Sequence, residues 1–541
     1  MIRAITTAIE SVDGVVLLDV DPGASTNRTV VTFVGSPEAV IEGAVRAGVE
    51  AAEQIDMRLH SGEHPRFGAM DVCPFVPITG ITMDEVADLA REAGRRLGEA
   101  GLTVYLYENA ASAPHRRNLA DVRAGEYEGL ADKLADPVWE PDFGPDQLNQ
   151  RSGATAVGAR SLLIAYNVNL NTTSTRRANA VAFDVRERGR VERTGDPLTG
   201  DVVRDSAGEP VWKPGELESV KAIGWYIDEY QQAQVSMNLT DLSVTPLHAA
   251  FDAVRKSATT RGMRVTGSEI VGMVPLQAML DAGHHYLTLQ QRSHGISDED
   301  IVHLAATSMG LDDLTPFVAG DKIIEWRMAQ FGGRLASLSL IDFTRETAAE
   351  SPAPGGGSVA ALAGALGAAL GTMVANLSAH KRGWDDRWEE FSDWAVRGKT
   401  LHTRLLALVD ADTEAFGVLM EAHRMPSGTD EEAAARRAAI QVGTRGAIDV
   451  PIAVMEASVE AMEVVAVMAE EGLESSVSDA GVGALMIRAA VRGAHLNVQI
   501  NVGGLTDESE QSVYLDRAVG LAEVAADREA AILEKVHQRI I

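Results

Sequence analysis

One cysteine in 541 residues, Cys73, rules out an intramolecular disulfide framework and a cysteine-based zinc cluster. Its setting, "MDVCPFVP", reads as a strand, so core packing is the expected role of this small hydrophobe, with a reactive thiol as the alternative. Positive charge is scarce too: 48 Lys and Arg stand against 78 Asp and Glu, a net charge of -30. That balance argues against nucleic acid or an anionic membrane as partner. It also requires local basic groups to draw in any anionic substrate against the overall field. The opening "MIRAITTAIESVDG" has no apolar signal-peptide core. One uncharged run, "GGGSVAALAGALGAALGTMVANLSAH", has membrane-spanning length, but its Ala and Gly contribute little to insertion. It reads as a buried helix that neighbours approach closely through Gly364, Gly367 and Gly371. A soluble, cytoplasmic protein without a membrane segment is expected.

What remains is an ordinary globular composition, 45% hydrophobic and 23% charged, in a chain too long for one core. "GVVLLDV", "RTVVTFV", "DVCPFVPI" and "GLTVYLYE" read as strands. "SPEAVIEGAVRAGVEAAEQI" and "TMDEVADLAREAGRRLGEA" read as helices with Ser or Thr caps. "PDFGPDQLNQRSGATAVGAR" reads as a Gly/Pro-rich loop before the strand "LLIAYNVNLN". The pattern then repeats through "SVKAIGWYI" and "AQVSMNLTD", with residues 186–216 as an inserted loop or hairpin. After the short linker "MAQFGGRLASLSL", only helical patterns follow. The expectation is multidomain: two α/β subdomains of α+β sandwich-like form (1–163 and 164–327), a linker (328–338) and an all-α helical domain (339–541).

Several residues are placed to do chemistry. His64 lies in "LHSGEHPRFGAMDVCPF", where Gly62 and Pro65 argue for a loop, and imidazole exchanges a proton most easily near neutral pH. Glu63, Arg66 and Asp71 could set its tautomer or hold substrate carboxylates. A structural loop histidine and a metal site with His60 are the alternatives, the latter needing a helix that Gly62 and Pro65 oppose. Asp412 interrupts an apolar helix: at 100° per residue, Leu401, Leu405, Leu408, Phe416 and Leu419 fall within roughly 40° of it, whereas Asp410 points away. A carboxylate in an apolar stripe is costly unless paired, and desolvation raises its pKa toward acid–base use. Pairing with a neighbouring helix is the bland alternative.

"SPAPGGGSVAAL" opens a helix with a Gly-rich turn (Gly356, Gly357, Ser358) suited to an anion or simply to tight packing. Asn497 and Asn501 share a helix face one turn apart and could bond a ligand or neighbouring helices. In "AYNVNLN" Asn167, Asn169 and Asn171 share one strand face; in "QVSMNLT" Gln234, Ser236, Asn238 and Thr240 do. Such faces are either solvated or the lining of a polar cleft.

Taken together, "LLDVD", "STNRTV", "GEHPRFGAMDVCPF", "RAGEYEGL", "PDFGP", "GATAVGAR", "IGWYIDE", "APGGGSVAA" and "LVDADTEAF" closely resemble the bifunctional formimidoyltransferase-cyclodeaminase family of histidine degradation, from about residue 14 to the C-terminus. The resemblance implies a transferase half that moves a formimino group from formimino-L-glutamate to N5 of tetrahydrofolate. A helical part would then form 5,10-methenyltetrahydrofolate and release ammonia. It puts the family's catalytic histidine on His64 and its catalytic aspartate on Asp412. The folate-contacting loop falls on Gly144, Pro145, Asp146, Gln147, Leu148, Asn149, Gln150, Arg151, Ser152 and Gly153, with Asp21, Asn27, Arg28 and Arg66 in matching motifs near the same cleft. Gly356, Gly357, Ser358, Lys381, Arg382, Asn497 and Asn501 are further candidates for the cyclodeaminase pocket. The resemblance implies no metal or redox cofactor, tetrahydrofolate as a polyglutamylated co-substrate, and self-association through the helices.

Two departures stand out. The family's first strand, ending in a Val-Pro-Asn-Phe-Ser-Glu-Gly-like segment, has no counterpart in "MIRAITTAIE", and the insertion within residues 186–216 is long. The alternatives are a cyclodeaminase with a folate-binding but inactive transferase half, and a metal-dependent formimino hydrolase using His60, His64 and Asp71.

Overall fold

A short helix, Ile2–Glu10 (α1), precedes an antiparallel pair, Val15–Gly23 (β1) and Arg28–Gly35 (β2), in the computed structural model. That model describes residues 1–23, 27–61, 66–78, 80–195, 200–228, 230–329, 335–351 and 353–540. Next come Pro37–Gln54 (α2), Val72–Phe75 (β3), Met83–Glu99 (α3), Thr103–Glu108 (β4), Leu119–Val122 (α4), Leu130–Ala135 (α5) and Ala154–Ala159 (β5). Pro37 starts α2 without a side-chain cap, whereas Thr82 and Glu85 close a capping box on α3. β3, β5 and β4 form a parallel sheet with β5 in the middle. Alternation along β4 divides the core: Val104 and Leu106 pack with Ile41, Ala90 and Leu97, while Tyr105 and Tyr107 pack with Phe67 and Leu130.

The central strand corrects the sequence reading, which made 141–160 a loop. "ATAVGA" has weak strand propensity, but small residues are what the crowded centre admits: a Cβ on Gly158 would fall 2.5 Å from the Tyr107 ring. Tertiary packing outweighs propensity here.

The next part comprises Ile164–Leu170 (β6), Thr175–Val185 (α6), Arg190–Val191 (β7), Trp212–Lys213 (β8), Val220–Ile227 (β9), Gln232–Leu239 (β10), Leu247–Thr260 (α7) and Val265–Val271 (β11). β11, β6, β10 and β9 lie in that order in one antiparallel sheet. Its apolar face, with Tyr166, Val168, Leu170, Val235, Met237 and Leu239, is buried, and α6 and α7 pack on the sheet. β7 and β8 make the inserted segment a hairpin, of which residues 196–199 lie outside the described residues. Leu276–Leu289 (α8), Asp298–Met309 (α9), Ala319–Lys322 (α10) and Ile324–Ala329 (α11) follow.

The chain divides into two compact units, residues 1–282 with 305–331, and 283–304 with 332–541. The second contains Leu340–Thr347 (α12), Gly356–Ala379 (α13), Trp388–Arg424 (α14), Asp430–Glu471 (α15), Val477–Val502 (α16) and Glu508–Ile540 (α17). Helix α13 is long and apolar enough to cross a membrane, yet 61% of its most apolar window is buried in this unit. It is the core helix, touched by α14, α15 and α16. As the sequence suggested, neighbours come close at its glycines: a Cβ on Gly367 would meet the Gly483 carbonyl at 2.7 Å.

Candidate active sites

Asp412 of α14 meets the N-terminus of α13. The Ser358 hydroxyl donates to Asp412 Oδ2 at 3.0 Å and lies 3.3 Å from Thr413 Oγ1. Gly357 makes this approach possible, because a Cβ there would fall 2.0 Å from Asp412 Oδ1. Burial raises the Asp412 pKa, and hydrogen bonds from the Ser358 side chain and backbone partly offset that rise. A raised pKa moves a carboxyl toward the range in which it can both give and take a proton. Asp410 instead accepts the Leu335 backbone N–H at 2.6 Å, outside this pocket, as the helical wheel suggested.

Asn497 joins the site: its amide lies within 3.9 Å of where a Gly356 Cβ would stand. Its Nδ2 donates to the Gly493 carbonyl. Asn501 is engaged elsewhere, donating to Ala447 of α15 at 2.7 Å. Lys381 and Arg382 do not come together with Asp412. They follow the other end of the 24-residue α13, about 35 Å along its axis from Ser358, and Lys381 Nζ lies 3.8 Å over the Trp384 ring. Helical periodicity placed Asp412, but it said nothing of the axial distance that separates these cations from it.

In the α/β unit the loop 144–153 is tied to residues 57–69. Met57 N–H donates to the Arg151 carbonyl at 2.9 Å, Ala69 N–H to Ser152 at 2.8 Å, and Ala154 N–H to Phe67 at 3.1 Å. Asn149 Oδ1 accepts from Arg151 N–H at 3.0 Å and Ser152 N–H at 3.3 Å, the self-bonding that lets Asn fix a turn. Gly153, at φ +65°, packs so tightly on Phe67 and Gly68 that no side chain fits. Pro145 accepts from the Thr103 hydroxyl, and Tyr127 OH donates to the Gln150 carbonyl. Gly144, Asp146, Gln147 and Asn149 stand exposed at the rim, with Leu148 half-buried.

His64, with Glu63, lies outside the described residues. Its flanks are anchored: Asn27 Nδ2 donates to the Ser61 carbonyl at 2.8 Å and lies 3.3 Å from His60 Nδ1. Arg66 pairs with Glu128 at 2.5 Å and stacks over Tyr127. Asp71 is spent on the fold, accepting from Phe67 N–H at 2.8 Å and pairing with Arg123 at 2.8 Å. Arg28 and Asp21 are exposed near the ends of β2 and β1.

The polar face of the second sheet is a buried network at its centre, not a solvated surface. Asn167, Asn169 and Gln234 are at most 5% exposed, while Asn171 and Asn238 reach solvent at the edges. Asn167 Nδ2 and Gln234 Nε2 both donate to Glu269 Oε1, at 3.0 and 2.9 Å. Tyr230 OH donates to Glu269 Oε2 at 3.0 Å, and Trp225 Nε1 to Gln234 Oε1 at 2.8 Å. Glu269 was missed from the sequence because "VTGSEIV" was not recognised as a strand opposite Asn167.

The α/β unit carries a braced polar loop, and the helical unit a partly buried carboxyl at a helix start. The family model "Formiminotransferase domain, N-terminal subdomain" matches residues 1–160, "Formiminotransferase domain" residues 165–329, and "Formiminotransferase-cyclodeaminase" residues 339–518. A formimidoyltransferase-cyclodeaminase of Gallus gallus is 42% identical over 542 aligned residues, covering 100% of this chain and 96% of the relative. A glutamate formimidoyltransferase of Streptococcus pyogenes is 37% identical, over 54% of this chain and 89% of its own. A methenyltetrahydrofolate cyclohydrolase of Methylorubrum extorquens is 36% identical, over 36% of this chain and 93% of its own. The chain belongs to the formimidoyltransferase-cyclodeaminase family.

Proposed function

We propose that the enzyme passes one carbon through two reactions. In the α/β unit, N5 of tetrahydrofolate attacks the amidine carbon of formimino-L-glutamate, the bond from that carbon to the glutamate nitrogen breaks, and glutamate leaves with the proton that N5 gives up. His64 carries that proton, and Arg66 and the loop 144–153 hold folate. In the helical unit, N10 adds to the formimino carbon of 5-formiminotetrahydrofolate and its proton passes to the terminal nitrogen; the bond to that nitrogen then breaks, and a proton from Asp412 lets it depart as ammonia. The product is 5,10-methenyltetrahydrofolate.

The observation that carries this reading is the placement of Asp412. Its carboxyl is partly desolvated and steadied by the Ser358 hydroxyl at the mouth of α13. An amidine already holds an electrophilic carbon, so proton transfer and hydrogen bonding suffice in kind to move it. We assign transfer to residues 1–163 and 164–327, a linker to 328–338 and cyclisation to 339–541. The co-substrate is polyglutamylated, although Lys381 and Arg382 stand far from Asp412 along α13. The compartment is the cytoplasm. Self-association through the helical unit is supported by an exposed apolar stripe on α13: Val359, Leu366, Met373 and Leu377, each at least 38% exposed.

The test is a coupled assay starting from formimino-L-glutamate and tetrahydrofolate. Formation of glutamate, ammonia and the methenyl product supports both steps. Processing of supplied 5-formiminotetrahydrofolate without its formation from formimino-L-glutamate would leave only the cyclodeaminase half standing.

A further inference from the structure

The proposed transfer reaction uses His64, Arg66 and the loop 144–153, and leaves the buried network around Glu269 without a task. We propose that Glu269 and Asn167 form a recognition site for a planar N–C–N group presenting two parallel N–H donors, an inference that rests on the transferase reading of this unit. Both substrates carry such a group: the 2-amino and N3–H edge of the pterin, and the amidinium of the formimino donor.

Three observations carry the assignment. First, the Glu269 carboxyl is fixed: Asn167, Gln234 and Tyr230 fill three of its roughly four acceptor directions. Trp225 in turn fixes the orientation of the Gln234 amide. A carboxylate held by buried donors is preorganised for a partner and loses little freedom on binding it. Second, the same face holds acceptors and a donor left over. Asn167 Oδ1 and both amide atoms of Asn169 are buried with no hydrogen-bond partner among the described residues. Buried polar atoms are kept unpaired only at a cost, and apolar side chains would fill a purely structural sheet face without it. Asn167 lies opposite Glu269 in the register of β6 and β11, and its unpaired Oδ1 belongs to the same amide that donates to Glu269.

Third, Glu269 lines a cavity of about 270 Å³ together with Asp19, Asp21, Phe317 and Lys322. Three carboxylates beside one lysine repel the anionic end of either substrate and favour its donor-rich end. Charge-assisted bonds from a planar N–C–N unit to a carboxylate are short and directional, which gives selectivity as well as affinity.

The test is Glu269→Gln in the full-length enzyme, read by KM for each substrate in the transfer assay and by direct titration with 5-formyltetrahydrofolate and with formimino-L-glutamate. The amide keeps the shape but turns one acceptor into a donor. We expect KM and Kd to rise about tenfold for one substrate, as for a lost bond to a charged group, and to stay level for the other. A rise on the folate side assigns the pterin edge; a rise on the formimino-L-glutamate side assigns the amidinium. Tyr230→Phe removes one brace and should shift the same constant less. Unchanged constants for both substrates overturn the proposal, as does an equal loss of both alongside a lowered melting midpoint. Should Glu269→Gln not fold, Tyr230→Phe decides by the same titrations, and unchanged constants again overturn it. Failure of the wild type to transfer at all would instead sink the underlying transferase reading, while folate titration would still judge Glu269.

Discussion

The Asp412 carboxyl occupies the space a side chain on Gly357 would need, with Oδ1 only 2.0 Å from an ideal Cβ there. The carboxyl, the helix start and the glycine are therefore one arrangement. Gly357→Ala must push Asp412 or α13 aside. Because a displacement of about 1 Å at a reacting group costs on the order of 10²-fold, cyclisation of supplied 5-formiminotetrahydrofolate should fall by that much. Transfer, in the other unit, should be unchanged. Steady-state rates of the two half-reactions check this.

Ser358→Ala tests the balance that sets the Asp412 proton. Burial raises its pKa and the Ser358 bonds lower it. Loss of the hydroxyl therefore raises it further, and the limb of the cyclisation pH profile that belongs to Asp412 should move to higher pH. Movement to lower pH would contradict the account.

Stability should carry the same signature. The folded pKa of Asp412 lies above its unfolded value, so its favourable contribution is complete below the unfolded value of about 3.9 and fades as pH rises through the folded one. Asp412→Asn removes the cost of the buried charge. Its melting midpoint should exceed that of the wild type near neutral pH, and the difference should close below about pH 4.

Asn149→Ala addresses the folate loop. Two backbone N–H groups of the turn lose their acceptor. The loss of stability should stay near 1 kcal/mol because the loop is exposed there. KM for tetrahydrofolate in transfer should rise severalfold, with cyclisation unaffected.

Cys73 offers a chemical check on packing. Burial pushes its thiol up to about 12, so almost no thiolate exists at pH 8. Cys73 is half-buried against the core, so thiol-specific reagents should label the native enzyme more slowly than the unfolded chain, and equal rates would contradict the packed-strand reading.

Much of this was legible in the sequence, for identifiable reasons. Asp412 stood out because helical periodicity is regular and a charge in an apolar stripe violates it. The long helices and the glycines of α13 were legible for the same reason. β5 was not, since its "ATAVGA" is selected by crowding from Tyr107 rather than by strand propensity. The amide alternation on β6 and β10 marked a polar face, but its burial depends on what covers the sheet, and Glu269 depends on a register between strands about 100 residues apart. Lys381 and Arg382 were grouped with the cyclodeaminase pocket by residue type; axial distance along α13 separates them from it.

The most direct measurement is product analysis of His64→Ala and Asp412→Ala, each supplied first with formimino-L-glutamate plus tetrahydrofolate and then with 5-formiminotetrahydrofolate. The account predicts that the histidine variant fails to make the 5-formimino compound yet cyclises it when supplied. The aspartate variant should accumulate that compound and release no ammonia. Loss of both reactions in either variant would contradict two separate proton carriers.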